Sequence, residues 1–125
     1  MPPVGEAPAF RVLVVDDNLT VAEVVAATLR DLGAGPVVTA TSVADATPLL
    51  RTVAPELVIT DIYMPGGSGL EMLTEVQKWS ATTPVIAMSG GMEIDSVQDA
   101  GFIRVLQKPI ARATLAEVLT ALRGA

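Results

Sequence analysis

At 125 residues, half of them hydrophobic and only 3% aromatic, the chain suits a single domain with an aliphatic core that buries roughly 65% of its unfolded surface. It has no cysteine and no histidine, which excludes disulfides, zinc–thiolate sites, thiol chemistry, a histidine base and a phosphorylated histidine on this chain. Fourteen acids against eight Lys and Arg give a formal charge of -6, and with no basic run this argues against nucleic acid and anionic membrane as direct partners.

Residues 1–9 hold three prolines and are expected to be a flexible lead-in. They have neither the basic start nor the apolar centre of a signal peptide. No apolar run approaches the roughly 20 residues that span a bilayer, so a soluble, cytoplasmic chain is expected. Phe10 to Val15 is a β-prone run ending in Asp16-Asp17-Asn18, and Asn18 or the aspartate before it can cap the helix that follows. Val21, Val25, Thr28/Leu29 and Leu32 recur at helical spacing, and Gly33 and Gly35 close that helix.

Val37 to Ala40 predicts a second strand. Ser42 followed by Asp45 resembles a capping box for a helix carrying Val43, Ala46, Leu49/Leu50 and Val53. Pro48 falls inside it and is expected to kink or delay it. Leu57 to Thr60 is an apolar, β-branched run closed by Asp61, as in a buried strand of a parallel sheet. Met64-Pro65-Gly66-Gly67-Ser68-Gly69 predicts a loop, then a helix with Leu70, Leu73 and Val76 on one face. Thr83 to Met88 is a fourth strand, ending in Ser89-Gly90-Gly91. A short helix is expected over Met92 to Ala100, and a fifth strand over Phe102 to Gln107 ahead of Lys108-Pro109. Leu115, Val118, Leu119 and Leu122 form the apolar stripe of a last helix.

This alternation predicts an α/β fold, (βα)5, with a parallel five-stranded sheet and helices on both faces. The expected domain is one unit over residues 10–124. In such a sheet the carboxyl ends of the strands share one edge, where open α/β sheets hold their ligands. Asp16, Asp17, Asp61, Ser89 and Lys108 all fall there. Three adjacent carboxylates repel unless a cation is present, and Mg2+ favours oxygen ligands alongside phosphate. Lys108 offers a point charge for a phosphoryl oxygen, and Ser89 a hydroxyl. A carboxylate nucleophile, a metal, a lysine and a hydroxyl make a phosphoryl-transfer site. Each piece alone is more often a turn, a cap or a strand exit; their agreement on one edge carries the functional reading.

With Val14-Val15-Asp16-Asp17, Asp61-Ile62-Tyr63-Met64-Pro65 with Gly69 downstream, Ser89-Gly90 and Lys108-Pro109, the chain resembles the receiver domains of two-component response regulators over roughly residues 10–123. The resemblance implies a flavodoxin-like three-layer sandwich with strand order 2-1-3-4-5. It implies that Asp61 accepts a phosphoryl group from a histidine kinase or phosphotransfer protein. Asp17, Asp61 and the backbone carbonyl of Tyr63 would ligate Mg2+, and Asp16 would hold it through water. Lys108 would pair with the phosphoryl group, and Ser89 would hydrogen-bond it and move on activation. Such a phosphoprotein is a phosphoacceptor that assists its own phosphorylation and dephosphorylation rather than a turnover enzyme.

Three departures from the family pattern fall on the face of the fourth helix, fifth strand and fifth helix, which usually meets the downstream protein target. Val105 stands where an aromatic switch residue is usual, Ile110 follows Lys108-Pro109, and the segment between Ser89 and Gly101 is short. The expectation is a single-domain response regulator without DNA-binding output. The alternatives are a receiver module of a hybrid kinase or larger regulator, or a receiver-like scaffold that works without phosphorylation. A phosphatase would want an acid two residues after Asp61, where Tyr63 stands. No P-loop is present, and three carboxylates suit a flavin phosphate poorly.

Overall fold

Short valine-, isoleucine- and leucine-rich runs make the sheet, because β-branched side chains fit a pleated surface buried on both sides. The computed structural model describes residues 9–64, 67–91 and 100–123. Its strands are β1 (Val12–Val15), β2 (Val37–Ala40), β3 (Leu57–Asp61), the two-residue β4 (Tyr63–Met64) and β5 (Gly67–Ser68), β6 (Val85–Ser89) and β7 (Arg104–Gln107). The helices are α1 (Leu19–Asp31), α2 (Val43–Val53), α3 (Gly69–Trp79) and α4 (Arg112–Arg123). β2-β1-β3-β6-β7 form one parallel sheet, so the order expected for the five main strands holds. None of the described helices is long and apolar enough to cross a membrane.

Alternation along each strand divides the core in two. Val12, Val14, Leu57, Ile59, Ile86 and Met88 pack against α1 and α4. Leu13, Val15, Val58, Val85 and Ala87 pack against α2 and α3. Side chains this deeply buried each contribute about 1.5–3 kcal/mol relative to exposure.

Helix starts follow the side-chain capping that the sequence offers. Asn18 Oδ1 accepts the Val21 N–H at 3.2 Å, Ser42 Oγ the Asp45 N–H at 3.0 Å and Ser68 Oγ the Glu71 N–H at 3.2 Å. Gly33, with φ +100°, supplies the left-handed residue after α1.

Several sequence expectations need correction. The buried face of α1 is Ala22, Val25, Ala26 and Leu29, with Val21 and Leu32 only partly buried. Leu70 is exposed, and Met72 joins Leu73 and Val76 on the inner face of α3. α2 starts directly after its Ser42 cap and runs unbroken through Pro48, so the expected kink or delay does not interrupt it. The loop expected after Asp61 contains a hairpin, with Tyr63 opposite Ser68 and Met64 opposite Gly67. The helix expected over Met92 to Ala100 falls on residues 92–99, outside the described residues, as do residues 1–8 of the lead-in.

The hairpin returns the chain so closely that the Gly69 N–H donates to the Ile62 carbonyl at 2.7 Å. A Cβ on Gly69 would lie 2.7 Å from the Asp61 carbonyl oxygen and 3.0 Å from Ile62 Cα. Both are backbone atoms and neither can swing aside. Gly69→Ala is therefore expected to destabilise the fold by about 1–3 kcal/mol in urea unfolding. Gly91→Ala, where a Cβ meets nothing within 4 Å among the described residues, should stay within about 0.5 kcal/mol; equal costs would contradict this view of the hairpin.

Candidate functional site

Strand register brings the polar residues level. Val15 of β1 lies opposite both Ala40 and Thr60, Asp61 lies opposite Met88, and Ser89 lies opposite Gln107. Asp16, Asp61, Ser89 and Lys108 thus leave the sheet at one edge. The Lys108 N–H donates to the Ser89 carbonyl at 2.7 Å, which ties the exits of β7 and β6 together.

Asp16, Asp17 and Asp61 each offer a carboxylate oxygen, and these three oxygens lie within 4.8 Å of one another. Asp16 has no exposed surface and Asp61 is buried, while Asp17 is exposed. Asp16 Oδ1 accepts the Asn18 N–H at 2.9 Å, which closes a small turn ahead of α1. Its Oδ2 is fully buried and, among the described residues, accepts no hydrogen bond of adequate geometry. That oxygen is instead ion-paired with Lys108 Nζ at 2.7 Å. The same ammonium lies 3.3 Å from Asp61 Oδ1.

Two of the three carboxylates, Asp16 and Asp61, therefore share one ammonium. The consequence is visible at Asp61, whose pKa is pushed up from 3.8 to about 6. Burial is the main cause and the Asp16 charge adds to it; Lys108 pulls the other way without cancelling them. Burial acts to lower the pKa of Lys108, but its pairing with Asp16 and Asp61 raises it overall. An all-oxygen cluster with excess negative charge and a buried carboxylate oxygen lacking a hydrogen bond fits a hard divalent ion such as Mg2+.

Ser89 stands at the same edge, yet its hydroxyl is engaged within its own loop. It accepts the Gly91 N–H at 3.1 Å and lies 3.3 Å from the Gly91 carbonyl. Tyr63, directly after the Asp61–Ile62 pair in the hairpin, is 66% exposed, so its ring stands outside the pocket. Val105 is partly buried against the core on the α2–α3 side. Lys108 also lines a mostly apolar groove of about 330 Å³ together with Val21, Val24, Pro109 and Ile110.

Two contributors escaped the sequence reading. The Asn18 N–H fixes one oxygen of Asp16, a role hidden behind the cap assignment. Gly69 appeared only as a motif position, whereas the structure gives it a steric duty against the Asp61 carbonyl. Its place directly after the Ser68 cap was the available signal.

The chain is similar in sequence and fold to known proteins. The chain is 29% identical over 115 residues to the transcriptional regulatory protein DpiA of Escherichia coli (strain K12), covering 89% of this chain and 51% of that protein. It thus spans about half the length of that relative. To the chemotaxis protein CheY-3 of Vibrio cholerae it is 31% identical over 115 residues, 88% of each chain. Among solved structures, a response regulator receiver domain protein from Clostridium thermocellum superimposes with a TM-score of 0.84 at 26% identity, covering 92% and 94% of the two chains. The receiver domain of NtrX from Brucella abortus gives 0.82 at 30% identity, covering 91% and 98%. The response regulator receiver domain family matches over residues 12–120, a span that contains all three acids, Ser89 and Lys108. The chain belongs to the family of response regulator receiver domains.

Proposed function

We propose that Asp61 accepts a phosphoryl group from a histidine kinase or phosphotransfer protein, and that the resulting change alters contacts with a downstream protein. One observation carries the reading: a nucleophile-capable carboxylate, a second acid pair and an ammonium converge at the end of β3. A carboxylate oxygen of Asp61 attacks phosphorus, an acyl phosphate forms, and the P–N bond of the donor's phosphohistidine breaks with its electron pair returning to the imidazole. The ammonium of Lys108 faces the new phosphoryl charge, and the Ser89 hydroxyl donates to it after leaving Gly91. Asp17, Asp61 and the Tyr63 carbonyl would hold Mg2+ directly, with Asp16 acting through water. When bound, the ion supplies charge neutralisation for the carboxylates and the phosphoryl oxygens.

The added charge of about -1.5 to -2 would draw Ser89 and its loop inward. Val105 packs as an aliphatic core residue, so the relay runs through the backbone after Ser89 rather than through a ring. The output surface is assigned to the side of β7 and α4, including the segment between Ser89 and Gly101. Residues 10–124 are read as one receiver unit acting through protein contacts, without DNA-binding output. The match to CheY-3 over 88% of both chains favours this, while the half-length match to DpiA favours a module of a longer regulator. The intact mass of the protein isolated from its own cells separates the two.

Incubation with a small phosphodonor and Mg2+ should add one phosphoryl group to the wild type, labile to hydroxylamine, and none to Asp61→Ala. Intact-protein mass spectrometry reads both. A wild type that binds Mg2+ but gains no phosphoryl mass would favour a phosphorylation-independent scaffold.

The raised pKa of Asp61 gives a second expectation. A carboxyl that binds its proton more tightly when folded stabilises the fold at low pH, and loses that contribution as pH rises from about 4 to about 6. Without divalent cations, Asp61→Asn should therefore be more stable than the wild type near pH 8, with the gap closing toward pH 4. Urea unfolding across pH checks this; a variant less stable than wild type near pH 8 would contradict it.

A further inference from the structure

We propose that Val43, the first residue of α2, is a positioning residue for the phosphoacceptor: it seats the hairpin of β4 and β5 through Gly67 and so sets the backbone that follows Asp61. The proposal rests on the phosphoacceptor reading above and adds to it a residue from a different helix.

The hairpin carries backbone that the reaction needs held still. Tyr63, whose carbonyl is assigned above to the metal, is the first residue of β4. Ile62 and Met64 are buried in the core on the α2–α3 side, with Val43 packed against the same cluster. Gly67 pairs with Met64 across the hairpin, so a shift at Gly67 is passed on to the strand that carries Tyr63. Val43 sets where Gly67 can lie. A Cβ built on Gly67 would come within 2.9 Å of Val43 Cγ2 and 3.3 Å of Val43 Cβ, so the valine fills the space that a side chain at position 67 would take.

Val43 is a firm stop because neither its side chain nor its backbone yields easily. A β-branched side chain has restricted rotation about χ1, and its Cβ moves only with the main chain. That main chain is anchored on both sides. Ser42 Oγ accepts the Asp45 N–H at 3.0 Å, and the Val43 carbonyl accepts the Thr47 hydroxyl at 2.8 Å. Upstream, the Asp16 N–H donates to the Ala40 carbonyl at 3.1 Å, which ties the end of β2 to the acidic edge. The contacts therefore close a loop around the site: Asp16 holds Ala40, Val43 holds Gly67, and Gly69 lies against the Asp61 carbonyl. A misplacement of about 1 Å at a reacting group can cost about 10²-fold in rate, and Val43 acts on that scale without touching a reacting atom.

The test is a size-exchange cycle on wild type, Val43→Ala, Gly67→Ala and the double variant. Urea unfolding establishes that each is folded, and intact-protein mass spectrometry then gives the rate constant of phosphoryl gain from acetyl phosphate at saturating Mg2+. Gly67→Ala, whose new methyl displaces the hairpin from Val43, should be slowed roughly tenfold or more. Adding Val43→Ala removes the methyls facing it and should return the rate to within about threefold of wild type. A merely structural contact would move the urea midpoint and leave the rate constant of the folded protein unchanged; that result overturns the inference. A double variant as slow as Gly67→Ala also overturns it, because the hairpin would then not be seated on Val43. Where Gly67→Ala does not fold, Val43→Ala and Val43→Thr decide. Threonine keeps the branched shape and should stay within about twofold of wild type, while alanine should be slowed by more than about threefold; equal rates overturn the inference. Wild type that gains no phosphoryl group overturns the acceptor reading itself, whereas one rate in all the folded variants overturns only this inference.

Discussion

The contact between Lys108 and the buried carboxylate of Asp16 organises this site. Three acids leave neighbouring strand ends, and a parallel sheet gives them no way to separate. Their repulsion is tolerable because one half-buried ammonium pairs with Asp16 and Asp61, because Asn18 donates to Asp16, and because Asp61 binds its proton more tightly than an ordinary carboxyl. A lysine held on Asp16 is only partly free to meet an anion. The excess negative charge left in the cluster suits a divalent cation.

The surrounding fold serves this edge at short range. The hairpin of β4 and β5 brings Gly69 against the Asp61 carbonyl, and Gly67 lies against Val43 at the start of α2, where an added Cβ would come within 2.9 Å of it. The loop after Asp61 therefore approaches the beginnings of both α2 and α3. On the other side, Ser89 is bonded to Gly91 and its carbonyl to Lys108. A phosphoryl group at Asp61, as proposed above, would meet a serine and a lysine joined through one backbone hydrogen bond.

Much of this was legible in the sequence because it rests on residue type and chain order. Runs such as Val12 to Val15 and Leu57 to Thr60 admit few readings besides buried parallel strands, and acids at their ends follow from topology. The helix faces were less legible. Ala22 and Ala26 carry little hydrophobic signal, yet they let α1 approach the sheet, while Leu70 looks like core and faces water. The hairpin was hidden because its pairing depends on a backbone approach at Gly69 that a glycine- and proline-rich stretch does not announce. Which carboxylate Lys108 prefers depends on relative burial, a property of the assembled fold and not of any motif.

The most direct measurement is a crystal structure grown with Mg2+ and beryllium fluoride, a mimic of the phosphoryl group. The account predicts a beryllium fluoride adduct on a carboxylate oxygen of Asp61, metal among Asp16, Asp17 and Asp61, and the Lys108 ammonium on the fluorides. An adduct elsewhere, or none in crystals that hold the metal, would contradict the assignment of Asp61 as the acceptor.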